Sequence, residues 1–211
     1  MCIRDRGVGL PLAYAFLHAV LYQHGRYLMP LIPVNALLTV MGLQEGQRLA
    51  RRRGWRWRFS GRFAFLAVAL VIAGTAWRLP PMVRLYAWNV DDINQMHVAV
   101  GRWIADHTPP DAVLALNDIG AIAYVSERRV VDLAGLVTPE VVPILNAPDR
   151  DARLLDLMAE RGVDYVAIFP NWFPGLAVRE DVLEPVYRVT LARQTITGGE
   201  TMLVYRAHLE K

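Results

Sequence analysis

Hydrophobic positions fall into two regimes along the chain. In residues 7–23, 27–43 and 63–79 they run on almost without interruption, and none of the three runs shows the polar stripe by which a helix on a protein surface faces water. Each run approaches the roughly 17 to 25 residues that cross a bilayer as a helix. The pattern therefore predicts three transmembrane helices, at about 7–23, 27–43 and 60–79. Pro30 and Pro33 fall in the first turns of the second run, where a missing backbone donor costs least. Tyr22, Tyr27, Trp55, Trp57, Phe59 and Trp77 cluster at the run ends, as interfacial anchors do.

From Asp91 onward the spacing changes to that of an α/β unit. Residues 92–107 are amphipathic at helical spacing and are stopped by Pro109 and Pro110, with Asp91 and Asp92 read as caps at the positive end of that helix. The short apolar run 112–116 predicts a buried strand that delivers the chain to Asn117, Asp118 and Gly120, a capped turn opening a short helix. A second strand is predicted at 129–133, a helix at 151–161 stopped by Gly162, and a third buried strand at 164–169. Strands at 183–193 and 201–206 are joined near Gly198 and Gly199. The predicted fold is thus an α-helical transmembrane segment, 7–79, followed by an α/β domain, 80–211, with a small, mostly parallel sheet and a terminal hairpin.

Charge placement supplies an orientation. The chain has 211 residues, 54% of them hydrophobic and 20% charged. Seven arginines lie between residues 43 and 63 against one acid, Glu45, whereas residues 80–211 carry a net charge of −6. A basic stretch between two apolar runs reads as a cytoplasmic loop, here 44–62, rather than as a nucleic-acid site. The turn His24-Gly25-Arg26 and the acidic domain are then extracytoplasmic. The one cysteine, Cys2, makes an intramolecular disulfide and a Cys/His zinc site equally unavailable to the chain.

Residues 1–6, Met-Cys-Ile-Arg-Asp-Arg, resemble the translation of a sequencing-library transposon adaptor. The native chain is then expected to begin upstream of Gly7, as part of a longer protein.

Catalytic signatures are missing from the sequence. No glycine-rich dinucleotide loop, Walker loop, nucleophile elbow or paired zinc-peptidase histidines occur. The five histidines (18, 24, 97, 107, 208) show no i, i+4 pairing and read as surface or interface residues, so no metal site is predicted. Asp118 and Asp132 close predicted strands, where α/β folds place ligand groups. Asp118 is equally placed to cap the following helix, and Asp132 to pair with Arg128 or Arg129. Arg26, beside His24 and Tyr27 in the outer turn, carries a guanidinium suited to bidentate phosphate binding or to snorkelling at an interface.

The segment His24 to Pro33 (HGRYLMPLIP) resembles the late transmembrane motif of GT-C type membrane glycosyltransferases, relatives of the protein mannosyltransferases and the aminoarabinose transferase. The stretches Asn117 to Tyr124 (NDIGAIAY) and Val131 to Pro139 (VDLAGLVTP) are similar to the C-terminal domain of many bacterial members. The resemblance implies transfer of a sugar from a polyprenyl-phosphate donor to an extracytoplasmic acceptor, with membrane lipid as the surrounding partner and Arg26 as the lipid-phosphate contact. Asp118 and Asp132 would be acceptor-side or structural. The family's acidic catalytic residues have no counterpart here, so no catalytic residue is assigned and the chain is expected to be the inactive C-terminal part of a transferase. No cofactor is implied within the chain, and any divalent cation belongs to the full-length protein. The alternative reading is a non-enzymatic, membrane-anchored protein whose α/β domain binds a ligand or a partner.

Overall fold

The computed structural model describes residues 32–52 and 61–209. Two helices come first, α1 (Ile32–Arg52) and α2 (Gly61–Ile93). A π-helical turn (Asn94–Val98) leads from α2 into α3 (Ala99–His107). There follow β1 (Val113–Leu116), α4 (Gly120–Ser126), β2 (Arg129–Asp132), a 3-10 turn (Pro139–Val141), α5 (Arg150–Glu160), β3 (Tyr165–Ile168), α6 (Pro174–Ala177), β4 (Leu183–Thr190) and β5 (Thr201–Ala207). The chain divides into two compact units between Trp77 and Arg78.

The transmembrane reading is corrected by this structure. Among the described residues, no helix is long and apolar enough to cross a membrane. In α1 the apolar stretch from Ile32 ends at Leu43, and the helix continues through Glu45, Arg48, Arg51 and Arg52, where the charge pattern predicts a loop. Twelve residues rise only about 18 Å, against a hydrocarbon core of about 30 Å. In α2 the uncharged stretch from Phe63 to Trp77 rises about 22 Å before Arg78, Pro80 and Pro81 follow inside the same helix. The assignment of inner and outer faces rested on those spans, and the described helices give it no support. The first expected span, 7–23, and the adaptor-like residues 1–6 lie outside the described residues.

The second unit is a five-stranded sheet in the order β2-β1-β3-β5-β4. β1 pairs in parallel with β2 and β3, while β5 pairs antiparallel with both β3 and β4. The sheet is therefore mixed, not mostly parallel: β5 alone runs against the other four strands, and because it lies between two of them it creates two antiparallel pairings. β1 and β3 are buried along their whole length, as central strands covered on both faces must be, and this explains their uninterrupted apolar sequences. β2 and β4 are the two edges. β4 is largely exposed or half-buried and accommodates Pro185 beside a register shift, as edge strands can.

Alternate side chains of the sheet feed two cores. Val113, Ala115, Val131, Val166 and Ile168 pack against Leu154, Leu155 and Met158 of α5 on one face. Leu114, Leu116, Ala167 and Phe169 pack on the other face against Met96, Val100, Ile104 and Ile122. Arg128 ties α3 to the sheet layer, donating to the carbonyls of Ala105, Thr108 and Ser126 at 2.8–3.0 Å, and so satisfies acceptors that α3 leaves open at its C-terminus.

Candidate functional site

Connections from the ends of β1 and β3 leave the sheet in opposite directions. β1 leads to α4, whose Ile122 lies in one core, whereas β3 leads to Phe173 and Leu176, which lie in the other. Adjacent parallel strands that part in this way open a crevice at their C-terminal ends, the place where α/β sheets bind ligands. Asn117 and Asp118 close β1, and Phe169, Asn171 and Trp172 follow β3. The Asn117 carboxamide bridges the two strand ends, its Oδ1 accepting the Phe169 amide at 3.2 Å.

On the second face, His97 of the π turn is buried, and its Nε2 lies 2.9 Å from Asp118 Oδ2. The Asp118 side chain is 46% exposed, so the imidazole holds the carboxylate from inside while the rest of the group meets solvent. Phe169 meets the His97 ring edge-on at 6.0 Å between centroids and fixes its plane. A π turn inserts one residue into the helical ladder, a distortion found frequently at functional sites. Here the turn carries the only imidazole that reaches the crevice among the described residues. Two polar atoms at this site, Asn117 Nδ2 and His97 Nδ1, are buried without a hydrogen-bond partner.

The third wall is the β4–β5 loop, residues 191–200. Gly198 O accepts the Trp172 indole N–H at 2.8 Å and the Asn171 amide at 3.3 Å. A Cβ on Gly198 would lie 2.8 Å from the Phe169 ring, and one on Gly199 would lie 2.8 Å from Asn171 Oδ1, so both positions need glycine for close approach rather than for backbone freedom. Trp172 remains 42% exposed although its N–H is used.

The predicted site residues separate. Asp118 stands in the crevice, and it does not cap α4, whose cap position is Ile119 without a side-chain hydrogen bond. Asp132 is fully buried at the end of β2, where its carboxylate accepts the amides of Ala134, Leu136 and Val137. Its own amide donates to Thr138 Oγ1 at 2.9 Å. These contacts occupy both oxygens, so Asp132 shapes the 133–138 loop, and Arg128 is engaged elsewhere. Arg26 lies outside the described residues. Asp91 and Asp92 do not cap a helix, because α2 runs straight through them; Asp92 is buried and receives Thr195 instead. Among the described residues no group of three or more His, Cys, Asp or Glu side chains is placed to hold a metal ion.

His97, Asn117, Phe169 and Trp172 were missed by sequence reasoning. A signal for His97 existed, since Met96, His97, Val100 and Ile104 form one buried helical stripe that should be apolar throughout. Two open concavities, of about 370 and 300 Å³, are lined by residues 145–152 and by a group around Asp111, Asp164 and Arg206. Neither includes His97 or Asp118, so the crevice is identified by topology and by its polar groups, not by volume.

Fold and site together define an α/β domain with a polar crevice at the parting of two parallel strands. The chain belongs to the family described as Domain of unknown function (DUF8728), whose profile matches residues 88–205 and so includes every crevice residue. No curated protein matches the chain, and neither comparison links it to the membrane glycosyltransferases.

Proposed function

We propose that the second unit is a non-covalent binding module, whose crevice takes a ligand or partner group that donates hydrogen bonds, a hydroxyl or an amine. The observation that carries this reading is the His97–Asp118 contact. A buried imidazole spends a ring nitrogen on orienting a half-exposed carboxylate, at the strand ends where ligands bind, and no fold requirement explains it. The net charge of −6 on residues 80–211 favours neutral or cationic ligands over anions. Trp172, 42% exposed, offers an aromatic face.

The test is titration of methyl glycosides and of aliphatic amines into the 211-residue protein, followed by amide NMR shifts. Shifts at Asp118, Asn171 and Gly198, weakened on the order of tenfold or more by Asp118→Ala, support the reading, since a hydrogen bond to a charged group contributes that much. No saturable shift at those amides from either class overturns it.

A second reading places the same module on the acceptor side of a sugar-transferring enzyme, with the polyprenyl-phosphate donor bound by other parts of a longer protein. What favours it is that the exposed member of the pair is the carboxylate, the group that accepts a proton or hydrogen bond from an acceptor hydroxyl. A longer protein that turns over such a donor, and loses turnover but not fold on Asp118→Asn, would distinguish it from simple binding.

A further inference from the structure

The last turns of α2 and the π turn touch both walls of the crevice. On the β1 side, His97 meets Asp118. On the β3 side the connection runs through the 191–200 loop. Asp92 Oδ2, buried at the end of α2, accepts both the Thr195 amide, at 2.6 Å, and the Thr195 hydroxyl, at 2.7 Å. Two residues earlier in that loop, the Arg193 guanidinium lies 4.4 Å over the Trp88 ring and 3.7 Å from Asp91. Three residues later, Gly198 O receives the Trp172 and Asn171 side chains. Between these anchor points the loop is tied to itself, Gln194 to the Thr197 carbonyl at 2.7 Å and the Thr197 hydroxyl to the Gly199 carbonyl at 2.9 Å.

We infer that the 191–200 loop is a strap coupling the position of the end of α2 to the crevice, so that displacement of residues 88–92 releases Trp172 and Asn171 while also shifting His97 against Asp118. Three features make the coupling mechanical. Asp92 is buried, so a carboxylate that loses Thr195 has no water to replace it and the contact holds as a unit. The loop's internal hydrogen bonds keep it from absorbing the movement. Gly198 and Gly199 lie against the Phe169 ring with no room for a Cβ, so a shifted strap presses on the ring that fixes His97. The functional meaning of the strap, regulation of the crevice, rests on the binding reading above; its existence does not.

The strap is tested without any ligand, by hydrogen exchange of the full chain measured by NMR. In Arg193→Ala combined with Thr195→Val, exchange of the Trp172 indole N–H should quicken on the order of tenfold, the effect of weakening one hydrogen bond, while the amides of Leu114, Leu116 and Val166 keep their rates. Coupling is reciprocal, so Trp172→Phe should quicken exchange of the Thr195 amide by a comparable factor. Arg193→Ala alone provides the milder variant, because Arg193 is half exposed. An unchanged Trp172 indole rate overturns the inference, and so does a rise shared equally with the core amides, which reports only lost global stability. Because no ligand enters, loss of glycoside or amine binding in Asp118→Ala neither supports nor damages this result, and the two ideas fail separately.

Discussion

The side chain of Asn117 accepts the backbone amide of Phe169 across 52 positions of sequence, and so pins the end of β1 to the end of β3 where the two strands part. Asn117 is buried, and nothing else among the described contacts satisfies that amide. Asn117→Ala should lower unfolding stability by about 1–3 kcal/mol, the cost of an unmade buried hydrogen bond. Urea denaturation monitored by circular dichroism checks it, and a loss below about 0.5 kcal/mol would mean that the bridge is dispensable.

Asp132→Asn is expected to be more harmful than its small change of shape suggests. The carboxylate accepts three amides, and an asparagine would direct an NH2 at one or more of them. Hydrogen bonds to a charged group contribute about 1.5–3 kcal/mol each, so a loss of about 3 kcal/mol is expected, together with faster exchange at Ala134, Leu136 and Val137. Wild-type protection at those amides in the variant would show that the loop holds itself.

Two glycines with positive φ should respond unequally. Gly135 has φ of 79° and Gly162 has φ of 64°, but a Cβ at Gly135 would lie 2.8 Å from Val142, whereas Gly162 faces open space. Gly162→Ala should cost about 1 kcal/mol for the left-handed backbone alone. Gly135→Ala should cost about 2 kcal/mol or more. Equal losses in thermal or chemical denaturation would contradict the steric account.

Tyr205 carries a buried hydroxyl with no hydrogen-bond partner, and burial raises its pKa above the ordinary value of 10.0. In the unfolded chain the phenol ionises near pH 10, while in the folded chain it resists. Its contribution is therefore complete below pH 10 and is lost as pH rises towards the raised folded value. Tyr205→Phe removes both effects. The variant should gain about 1 kcal/mol at neutral pH and lose less stability between pH 9 and 11 than the wild type.

At the acid end the sign reverses. Hydrogen bonds from Arg179 hold the Asp181 carboxyl below its usual value of 3.8, and Arg153 does the same for Asp149. Stability from these exposed pairs is fully present above the usual value and is lost as pH falls through the lowered folded ones. Replacing Arg153 and Arg179 by Ala should flatten the decline in stability between pH 5 and pH 2, and high salt should reduce the difference.

Strands β1 and β3 were legible in the sequence because both are short, wholly apolar and bounded by turn residues. The final hairpin was legible through Gly198 and Gly199. The insertion of β5 between β3 and β4 was not, since its antiparallel pairing with β3 joins segments far apart in the chain. The helix beginning at Asp92 was misread for a local reason. Two acids before an amphipathic run look like caps, yet residues 87–90 contain nothing that breaks a helix, and α2 continues through them. The length of apolar runs misled in a similar way: composition measures how apolar a run is, but the helix places Arg48, Arg51 and Arg52, or Arg78, on the same rod. Of the candidate site, Asp118 was found by its position after a strand. His97 was hidden inside a helical stripe, and Asp92 takes its partner 103 residues away, beyond any local window.

The placement of β5 also bears on how the domain is made. β5 is the last strand of the domain to leave the ribosome, yet it sits inside the sheet, with β3 on one side and β4 on the other. Until it emerges, β3 and β4 each present an open row of backbone donors and acceptors to any neighbouring unfolded chain. The sheet therefore closes only once residues 201–207 have emerged, and a ribosome stalled before residue 201 would release an aggregation-prone chain instead of a smaller stable one.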